Sequence, residues 1–343
     1  MLNTRFFILA ITLVLSVCSS GFTQIRSISK IVEKNSIDAK DEEKIKSYAL
    51  GWSKELRSVD SNTLKEANMK LVSPFRTSVR ISSIGRSLYG KYLKEGLKPL
   101  LDKSNASEMA SVNALQILAL LGTEQGCQIL LNHADFATEK RPALRLWASV
   151  GMGTSFLTGE LPFNRIGGYA KLVSNFTKKE PEWFVLTRQF DSLASVQSIP
   201  DLDRSKRAQT EKLSFELQTK SLVGLLDSIV STDSGDRRVR ALPFILPSLL
   251  LQLVKPGVNE GVKSTTFDDI RGPLMNFIAH AVAIDFDEDN EELKSAYGNA
   301  VQSAGVLISS ASDSSKKVDF LEYWNNGETS EILKIVETWK ASK

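Results

Sequence analysis

The sequence contains very little cysteine and histidine. Its 343 residues include two Cys and two His. Disulfide-stabilised folds pair several cysteines and a catalytic zinc ion normally takes three protein ligands, so neither class fits this composition. Cys127 lies among apolar residues, and we predict that it is a buried small side chain and not a reactive thiol.

The two histidines do not point to a general base. His133 precedes a predicted helix end, where a positive charge is favoured by the helix dipole. His280 lies in an apolar helical pattern, and we predict that it is buried and hydrogen-bonded. The chain also lacks Gly-Lys-Ser, Gly-Lys-Thr and Gly-x-Ser-x-Gly, the motifs of phosphate-binding loops and of the nucleophile elbow. We therefore predict no cofactor and no metal ion, and an enzyme is the less favoured class.

Long apolar runs are scarce as well. Residues 6–17 form an uncharged apolar run after Arg5, and small residues follow at 19–21. A positively charged N-terminus, a short apolar run and small residues after it are the parts of a secretory signal peptide. The apolar run is shorter than the ~20 residues of a membrane-spanning helix. We predict that residues 1–24 are a signal peptide and that the protein is exported to a periplasmic or extracellular location. An uncleaved signal anchor is the alternative.

Lipid anchoring and membrane spanning are both disfavoured by the sequence. Residues 15–18 read Leu-Ser-Val-Cys and resemble the lipobox of bacterial lipoproteins, which would place a lipid on Cys18. Val17 departs from that motif, which takes Gly, Ala or Ser before the cysteine. Beyond the N-terminus the most apolar stretch is 242–254, which contains two prolines and is too short to span a membrane. We predict no transmembrane helix in the mature chain.

Helical periodicity dominates the rest of the chain. In residues 41–57, apolar side chains recur at spacings of three and four, at Ile45, Tyr48, Ala49, Trp52 and Leu56. Similar stripes occur in residues 209–230 and 332–339, whereas sustained alternation of period two is missing. We predict an all-α fold, either an α-solenoid or an irregular array of stacked helix pairs, with roughly ten to twelve helices.

Polar residues, prolines and glycines divide this array. They predict helix starts at Asp60 and at Ser73-Pro74, and helix ends at Gly122 and Gly151. The polar and charged segment 198–207 is the clearest break. We therefore expect a repeat-like N-terminal half, residues 25–200, and a C-terminal half, residues 201–343.

One sequence pattern, Ala-Leu followed by an apolar helix face and Gly, occurs at residues 113–122 and again at 142–151. It resembles the second helix of HEAT- and armadillo-type repeats, in which a small residue lets neighbouring helices approach closely. The resemblance covers residues 74–152 and, more weakly, 209–311, with a spacing shorter than the about 40–47 residues typical of those families. It implies an α-solenoid with an extended surface that binds partners.

Positive charge is concentrated in residues 70–98, which contain seven cations and one acid. We predict a basic binding face for a polyanion, an anionic lipid surface or an acidic partner, with a solvated surface as the alternative; its residues are Arg76, Arg80, Arg86, Lys91 and Lys94. Arg76 and Arg80 are four residues apart and are expected to share a helix face. The formal net charge of only +3 gives no reason to expect a nucleic acid as partner.

Negative charge is densest in residues 285–292, which begin like a calcium loop, Asp-x-Asp-x-Asp. Position six is Asn290 instead of Gly and position twelve is Ala296 instead of Glu, so the bidentate ligand is missing. We predict a solvated helix start, where the helix dipole favours acids. Weak calcium binding stays the alternative.

The sequence favours an exported, non-catalytic scaffold that binds a protein or a cell-envelope component, including peripheral contact with a membrane. The aromatic pair Trp183-Phe184 is the one for which we predict a surface role. The alternatives are a helical enzyme that uses carboxylates and a ligand-sensing domain with a pocket between the two halves. A carboxylate pair in a deep cleft would favour the enzyme, and a shallow, open groove lined by residues 74–98 would favour the scaffold.

Overall fold

The computed structural model describes residues 27–58, 60–77, 80–102, 107–232, 235–286, 290–311 and 318–341. Within these residues every regular element is a helix, which confirms the predicted all-α fold. The predicted signal peptide and Cys18 lie outside the described residues. In the part of the chain that the structure describes, no helix is long and apolar enough to cross a membrane.

The chain divides into two compact units, one up to Pro99 and one from Leu100 onward. The first unit contains α1 (Ser29–Val32), α2 (Ala39–Glu55), α3 (Ser61–Thr77) and most of α4 (Ser83–Leu101). The helices of the second unit are α5 (Glu108–Ala119), α6 (Glu124–Ala134), α7 (Pro142–Leu157), α8 (Phe163–Thr177), α9 (Trp183–Ser195), α10 (Arg204–Val230), α11 (Leu242–Leu253), α12 (Glu260–Ala283), α13 (Glu291–Ala311), α14 (Phe320–Asn325) and α15 (Thr329–Ala341). Short 3-10 turns at Val196–Ser198 and Arg237–Ala241 precede α10 and α11.

The apolar stripe predicted for residues 41–57 forms the buried face of α2. Its five members are each at most 6% exposed: Ile45, Tyr48, Ala49, Trp52 and Leu56. The side chain of Asp38 accepts a hydrogen bond from the Asp41 N–H at 2.8 Å and caps the helix N-terminus. The predicted start at Asp60 is also confirmed, because its carboxylate accepts from the Thr63 N–H in the first turn of α3.

The predicted helix start at Ser73-Pro74 is wrong, since this pair lies inside α3. The proline has no N–H, so the carbonyl of Lys70, four residues earlier, loses its donor within the helix. The hydroxyl of Tyr48 on α2 donates to that carbonyl at 2.5 Å, and the hydroxyl of Tyr89 on α4 donates to the carbonyl of Leu71 at 2.7 Å. Tyrosines from two neighbouring helices thus satisfy acceptors around the proline, and α3 continues past it.

Helices of the second unit pack against the helix two positions along the chain. α5 packs against α7 and α7 against α9, while α6 packs against α8, α8 against α10 and α10 against α12. Consecutive helices also pack, as α5 does with α6 and α8 with α9. Two rows of alternate helices are what stacked helix pairs produce, in agreement with the predicted array.

Two glycines of this array have different roles. Gly122 follows α5 with a φ of 59°, in the left-handed region that favours glycine, so the predicted helix end there is confirmed. The predicted end at Gly151 is wrong, because this residue lies inside α7. A Cβ at Gly151 would lie 2.7 Å from Cδ2 of Leu130 on α6 and 3.3 Å from Cβ of Ala119 on α5. Glycine at this position therefore allows three helices to pack closely.

The polar segment 198–207 lies inside the second unit. It connects the 3-10 turn Val196–Ser198 to α10, and both of these elements pack against α9. The division into halves at residues 200 and 201 stays a prediction. Fifteen α-helices occur in the described ranges, more than predicted; two of them, α1 and α14, with 4 and 6 residues, are too short to give a periodic pattern.

Tyr48→Phe should lower the free energy of unfolding by about 1–3 kcal/mol, because it leaves the Lys70 carbonyl without a donor. Urea denaturation measures this change. In a Pro74→Ala background the alanine N–H can bond that carbonyl, so the same substitution should cost less. Equal costs in the two backgrounds would contradict the role given to Tyr48.

Candidate functional site

The predicted basic face lies in the first unit. Arg76 is in the last turn of α3, Arg80 follows in the connection, and Arg86, Lys91 and Lys94 are on α4. The expectation that Arg76 and Arg80 share a helix face is wrong, because α3 ends one residue after Arg76. Arg76, Arg80 and Lys94 are exposed, and within the described residues no acid lies within ion-pair distance of them.

The other two residues of this face are held against neighbouring side chains. The Arg86 guanidinium is half-buried and lies 5.9 Å from the centre of the Phe75 ring. The Lys91 ammonium lies 3.5 Å from Oε1 of Glu42, and the hydroxyl of Tyr92 donates to the same oxygen at 2.6 Å. The hydrogen bond from Tyr92 lowers the pKa of Glu42, so this carboxylate stays ionised and offsets the charge of Lys91. Arg76, Arg80 and Lys94, which we call the accessible cations, are therefore the exposed members of this face that no described acid offsets.

The second unit contains a buried ion pair that the sequence analysis missed. Arg145 on α7 and Glu180, just before α9, are 1% and 0% exposed. Nε of Arg145 donates to Oε2 of Glu180 at 2.9 Å and Nη2 donates to Oε1 at 2.8 Å, a bidentate geometry. Nη1 donates to the carbonyls of Glu139 and Lys140 at 3.2 and 3.0 Å. The buried charge of Arg145 is therefore both paired and hydrogen-bonded, as a charge out of water requires.

Glu139 forms a second buried group in the connection between α6 and α7. Its carboxylate lies 2.9 Å from Nδ1 of His133 and accepts from Nε and Nη2 of Arg141 at 2.9 and 2.8 Å. Burial raises the pKa of Glu139, but the hydrogen bonds from Arg141 and His133 outweigh this effect and lower the pKa to about 2. The predicted helix end near His133 is confirmed, because α6 ends at Ala134. The His133 ring contacts Glu139 in the connection that follows.

The chemistry-bearing side chains of this region are therefore used in structural contacts. The oxygens of Glu139 and Glu180 are occupied by protein donors, and no group of three or more His, Cys, Asp or Glu among the described residues could hold a metal ion. Cys127 is buried as predicted, and burial raises the pKa of its thiol to about 11. His280 is half-buried and its Nε2 has no hydrogen-bond partner in the described ranges, so the predicted hydrogen bond is not found at that atom.

The last two residues of the acidic run 285–292 lie at the start of helix α13. Glu291 and Glu292 occupy the first turn of α13, in agreement with the prediction, and Glu292 lies 3.0 Å from Nη2 of Arg240. Residues 287–289, which carry the centre of the calcium-like pattern, lie outside the described residues.

Helix α11 contains no charged residue and only two polar residues, Ser248 and Gln252, which lie on one flank of the helix. One face is buried in the core and consists of Leu242, Ile245, Leu246, Leu249 and Leu253. The opposite face, which we call the α11 stripe, consists of Phe244, Pro247, Leu251 and Val254. In this stripe Phe244 is 55%, Leu251 70% and Val254 59% exposed. Contiguous large apolar side chains are normally covered, so the α11 stripe is unusual for a surface in contact with water.

The aromatic pair Trp183-Phe184 lies beside the α11 stripe. The ring of Trp183 stacks on Phe244, with centroids 5.7 Å apart and 17° between the planes. Phe184 meets Trp183 edge-on, with centroids 5.8 Å apart. Both residues of the pair are half-buried. The pair thus continues the exposed apolar surface from α11 to the start of α9.

A groove of about 470 Å³ lies between α7 and α9. The two helices approach closely there, because the Ser192 hydroxyl donates to the carbonyl of Ser149 and no larger side chain separates them. Leu157, 48% exposed, lines its apolar wall. Arg188 and Asp191 on the opposite wall pair with each other at 2.7 Å, so this wall offers little charge to a partner.

Comparison with known proteins does not add a family. No protein-family model matches the chain, and no curated protein and no solved structure matches it.

Neither the buried ion pair nor the α11 stripe is predicted from the sequence. Arg145 and Glu180 are 35 residues apart and share no motif, so nothing in the sequence links them. The α11 stripe did have a signal, because residues 242–254 contain no charged residue and only two polar ones, Ser248 and Gln252.

Glu180→Gln should lower the free energy of unfolding by about 3–5 kcal/mol, because it leaves the Arg145 charge buried without a counter-ion. Replacing both partners, with Arg145→Met and Glu180→Leu, should cost less than the single substitution. Urea denaturation of the three proteins measures both quantities. A double variant less stable than Glu180→Gln would contradict this account of the pair.

Proposed function

We propose that the protein is an exported, non-catalytic helical scaffold that binds a protein partner through the α11 stripe and the adjacent Trp183-Phe184 pair. The observation that carries this proposal is the exposure of the uncharged apolar face of α11, with Leu251 at 70% and Phe244 at 55%. Covering one such side chain contributes roughly 1.5–3 kcal/mol when burial is complete. A partner that covers the stripe therefore gains affinity from a few side chains.

The composition of this surface favours a protein over a lipid bilayer. The centres of protein interfaces are poor in charge and rich in aromatic residues, and tryptophan is frequent among the residues that contribute most to binding. Helices that lie on membranes carry lysine and arginine along their polar face, whereas α11 has no charged residue at all. Trp183 stacked on Phe244 would supply a rigid aromatic anchor at the centre of such an interface.

Two further observations support a scaffold. The two rows of packed helices in α5–α12, and the close packing that Gly151 allows, fit the HEAT- or armadillo-like reading of the sequence. The buried carboxylates Glu139 and Glu180 are bound by protein donors, so they do not favour the alternative of an enzyme that uses carboxylates. Export rests on the signal-like pattern of residues 1–24.

The accessible cations Arg76, Arg80 and Lys94 are a second contact surface in this proposal. They are exposed, and within the described residues no acid offsets them. An acidic protein partner would meet them with a favourable, salt-sensitive attraction that acts mainly on the association rate.

Leu251→Lys should abolish capture of the partner without unfolding the protein, because it places a charge in the centre of the apolar contact. A photo-crosslinking residue at position 251 should give a discrete protein adduct in the native host, and the same residue at position 172 should give none. Leu172 is a suitable control because it is an apolar residue on α8 that is 44% exposed. Mass spectrometry of the adduct identifies the partner, and a self-adduct would identify it as a second copy of the chain.

Two results would overturn the proposal. One is adduct formation that is equal at positions 251 and 172. The other is co-sedimentation with phosphatidylglycerol vesicles that Leu251→Lys abolishes, which would show that the stripe contacts lipid.

Replacing Arg76, Arg80 and Lys94 together with Glu should slow association with the captured partner by about tenfold or more at low salt, with little change at high salt. Surface plasmon resonance at two ionic strengths measures the rates. Arg86 is left unchanged because its half-buried contact with Phe75 makes it part of the packing. If the variant and the unsubstituted protein associate at the same rate at low salt, the basic face does not take part in binding.

A further inference from the structure

The residues of the α11 stripe recur at the spacing by which one helix packs against another. Along the chain they follow at intervals of three, four and three residues: Phe244, Pro247, Leu251 and Val254. This is the apolar repeat of a coiled-coil seam, and here it faces solvent, with Leu251 70% exposed. Such a seam is completed by a helix that lies alongside it. The spacing therefore favours a helix of a second chain as the occupant of the stripe.

The spacing is the same in both chain directions, so two copies of α11 can pack antiparallel. A two-fold axis midway between Pro247 and Leu251 places each of these residues opposite the other in the second copy, and Phe244 opposite Val254. This reciprocity is what a two-fold contact between identical surfaces requires. The large Phe244 ring then meets the smaller valine, and Leu251 meets the compact proline ring. Large side chains opposite smaller ones are the arrangement that fills the space between helices.

The charges around the stripe also permit contact between identical surfaces. In a two-fold contact a charge near the axis lies close to its own copy, so unpaired charges there would repel. α11 contains no charged residue, and neither does the part of α13 from residue 295 to 311. On α9 the exposed Arg188 is paired with Asp191 at 2.7 Å. A charged partner would find no complementary charge on α11, whereas a second copy meets no like charge there.

The surface around α11 is large enough for a specific contact. α11 packs against both α9 and α13. These three helices have 12, 13 and 21 residues. With a width of about 10 Å per helix and a rise of about 1.5 Å per residue, a contact over their exposed sides can cover roughly 600 Å². Specific interfaces bury about 600 Å² or more on each partner, so this surface reaches the size that a dimer needs.

We propose that the α11 stripe is the interface of a two-fold symmetric homodimer, in which α11 of one copy packs antiparallel against α11 of the other. The inference rests on the proposed function, because it identifies the protein that covers the stripe as a second copy of the chain. The stack of Trp183 on Phe244 then lies at each end of the helix pair, opposite Val254 of the other copy. Each dimer presents the accessible cations twice, so it remains compatible with an acidic partner at that surface.

Analytical ultracentrifugation of the purified protein tests the proposal, and we expect a mass twice that of one chain. Leu251→Lys and Leu251→Glu each place two like charges about 6 Å apart along the helix pair, so each should weaken dimerisation by about tenfold or more. An equal mixture of these two variants should associate again, because the charges on the two copies are then opposite. Leu172→Lys is the matched control, since it charges an exposed leucine of α8 and should leave the dimer unchanged.

Cysteine substitutions test the antiparallel arrangement. Phe244→Cys and Val254→Cys, each combined with Cys18→Ser, should form a disulfide between copies when the two variants are mixed and oxidised. Neither variant should cross-link to itself, because identical positions lie about 15 Å apart along the helix pair, beyond the reach of a disulfide. Cys127 is buried and does not compete. A parallel pairing would give the reverse result.

A monomeric protein, charge variants that do not associate on mixing, or cysteine variants that cross-link to themselves would each contradict the antiparallel homodimer. Photo-crosslinking at position 251 separates this failure from that of the proposed function. A monomer that forms an adduct with a different protein in the native host would overturn the homodimer and leave the proposed function in place. A monomer that forms no adduct would overturn both.

Discussion

The bidentate ion pair between Arg145 and Glu180 constrains how the helices around α7 meet. Removing two charges from water costs several kcal/mol per ion, so the pair is tolerated only where every remaining hydrogen bond is made. The carbonyls of Glu139 and Lys140 and the N–H of Glu182 supply those bonds, which fixes the connections that precede α7 and α9. A different packing of these helices would leave a buried charge unpaired. We therefore expect the pair to contribute more to the uniqueness of the arrangement than to its stability.

The helical fold could be predicted from the sequence because a buried helix face repeats locally. The spacing of Trp52 and the other apolar residues of α2 is enough to predict that they form its buried face. The errors at Pro74 and Gly151 have a common cause, since both residues were read as local breaks. Tyr48 from another helix compensates for the proline, and the close approach of Leu130 makes the glycine necessary inside α7. Neither partner is near in sequence.

The candidate sites were predicted less well, because exposure and pairing depend on tertiary structure. The charge of Lys91 was counted toward the basic face, but Glu42, 49 residues earlier, offsets it. Arg76 and Arg80 were placed on one helix that in fact ends between them. For α11 the composition of the helix was visible in the sequence, whereas which of its apolar faces meets water was not. The surface role predicted for Trp183-Phe184 is compatible with the position of the pair beside Phe244.

The two rows of helices in α5–α12 have a consequence for how this part of the chain varies and folds. Apart from the packing of α12 against α15, the helix pairs in contact there are one or two positions apart, so little chain has to be closed into long loops. Such local contacts favour rapid folding. They also make the helix pair the natural unit of insertion and loss, because adding or removing one pair at an end changes the length of the array and leaves the contacts within the other pairs in place.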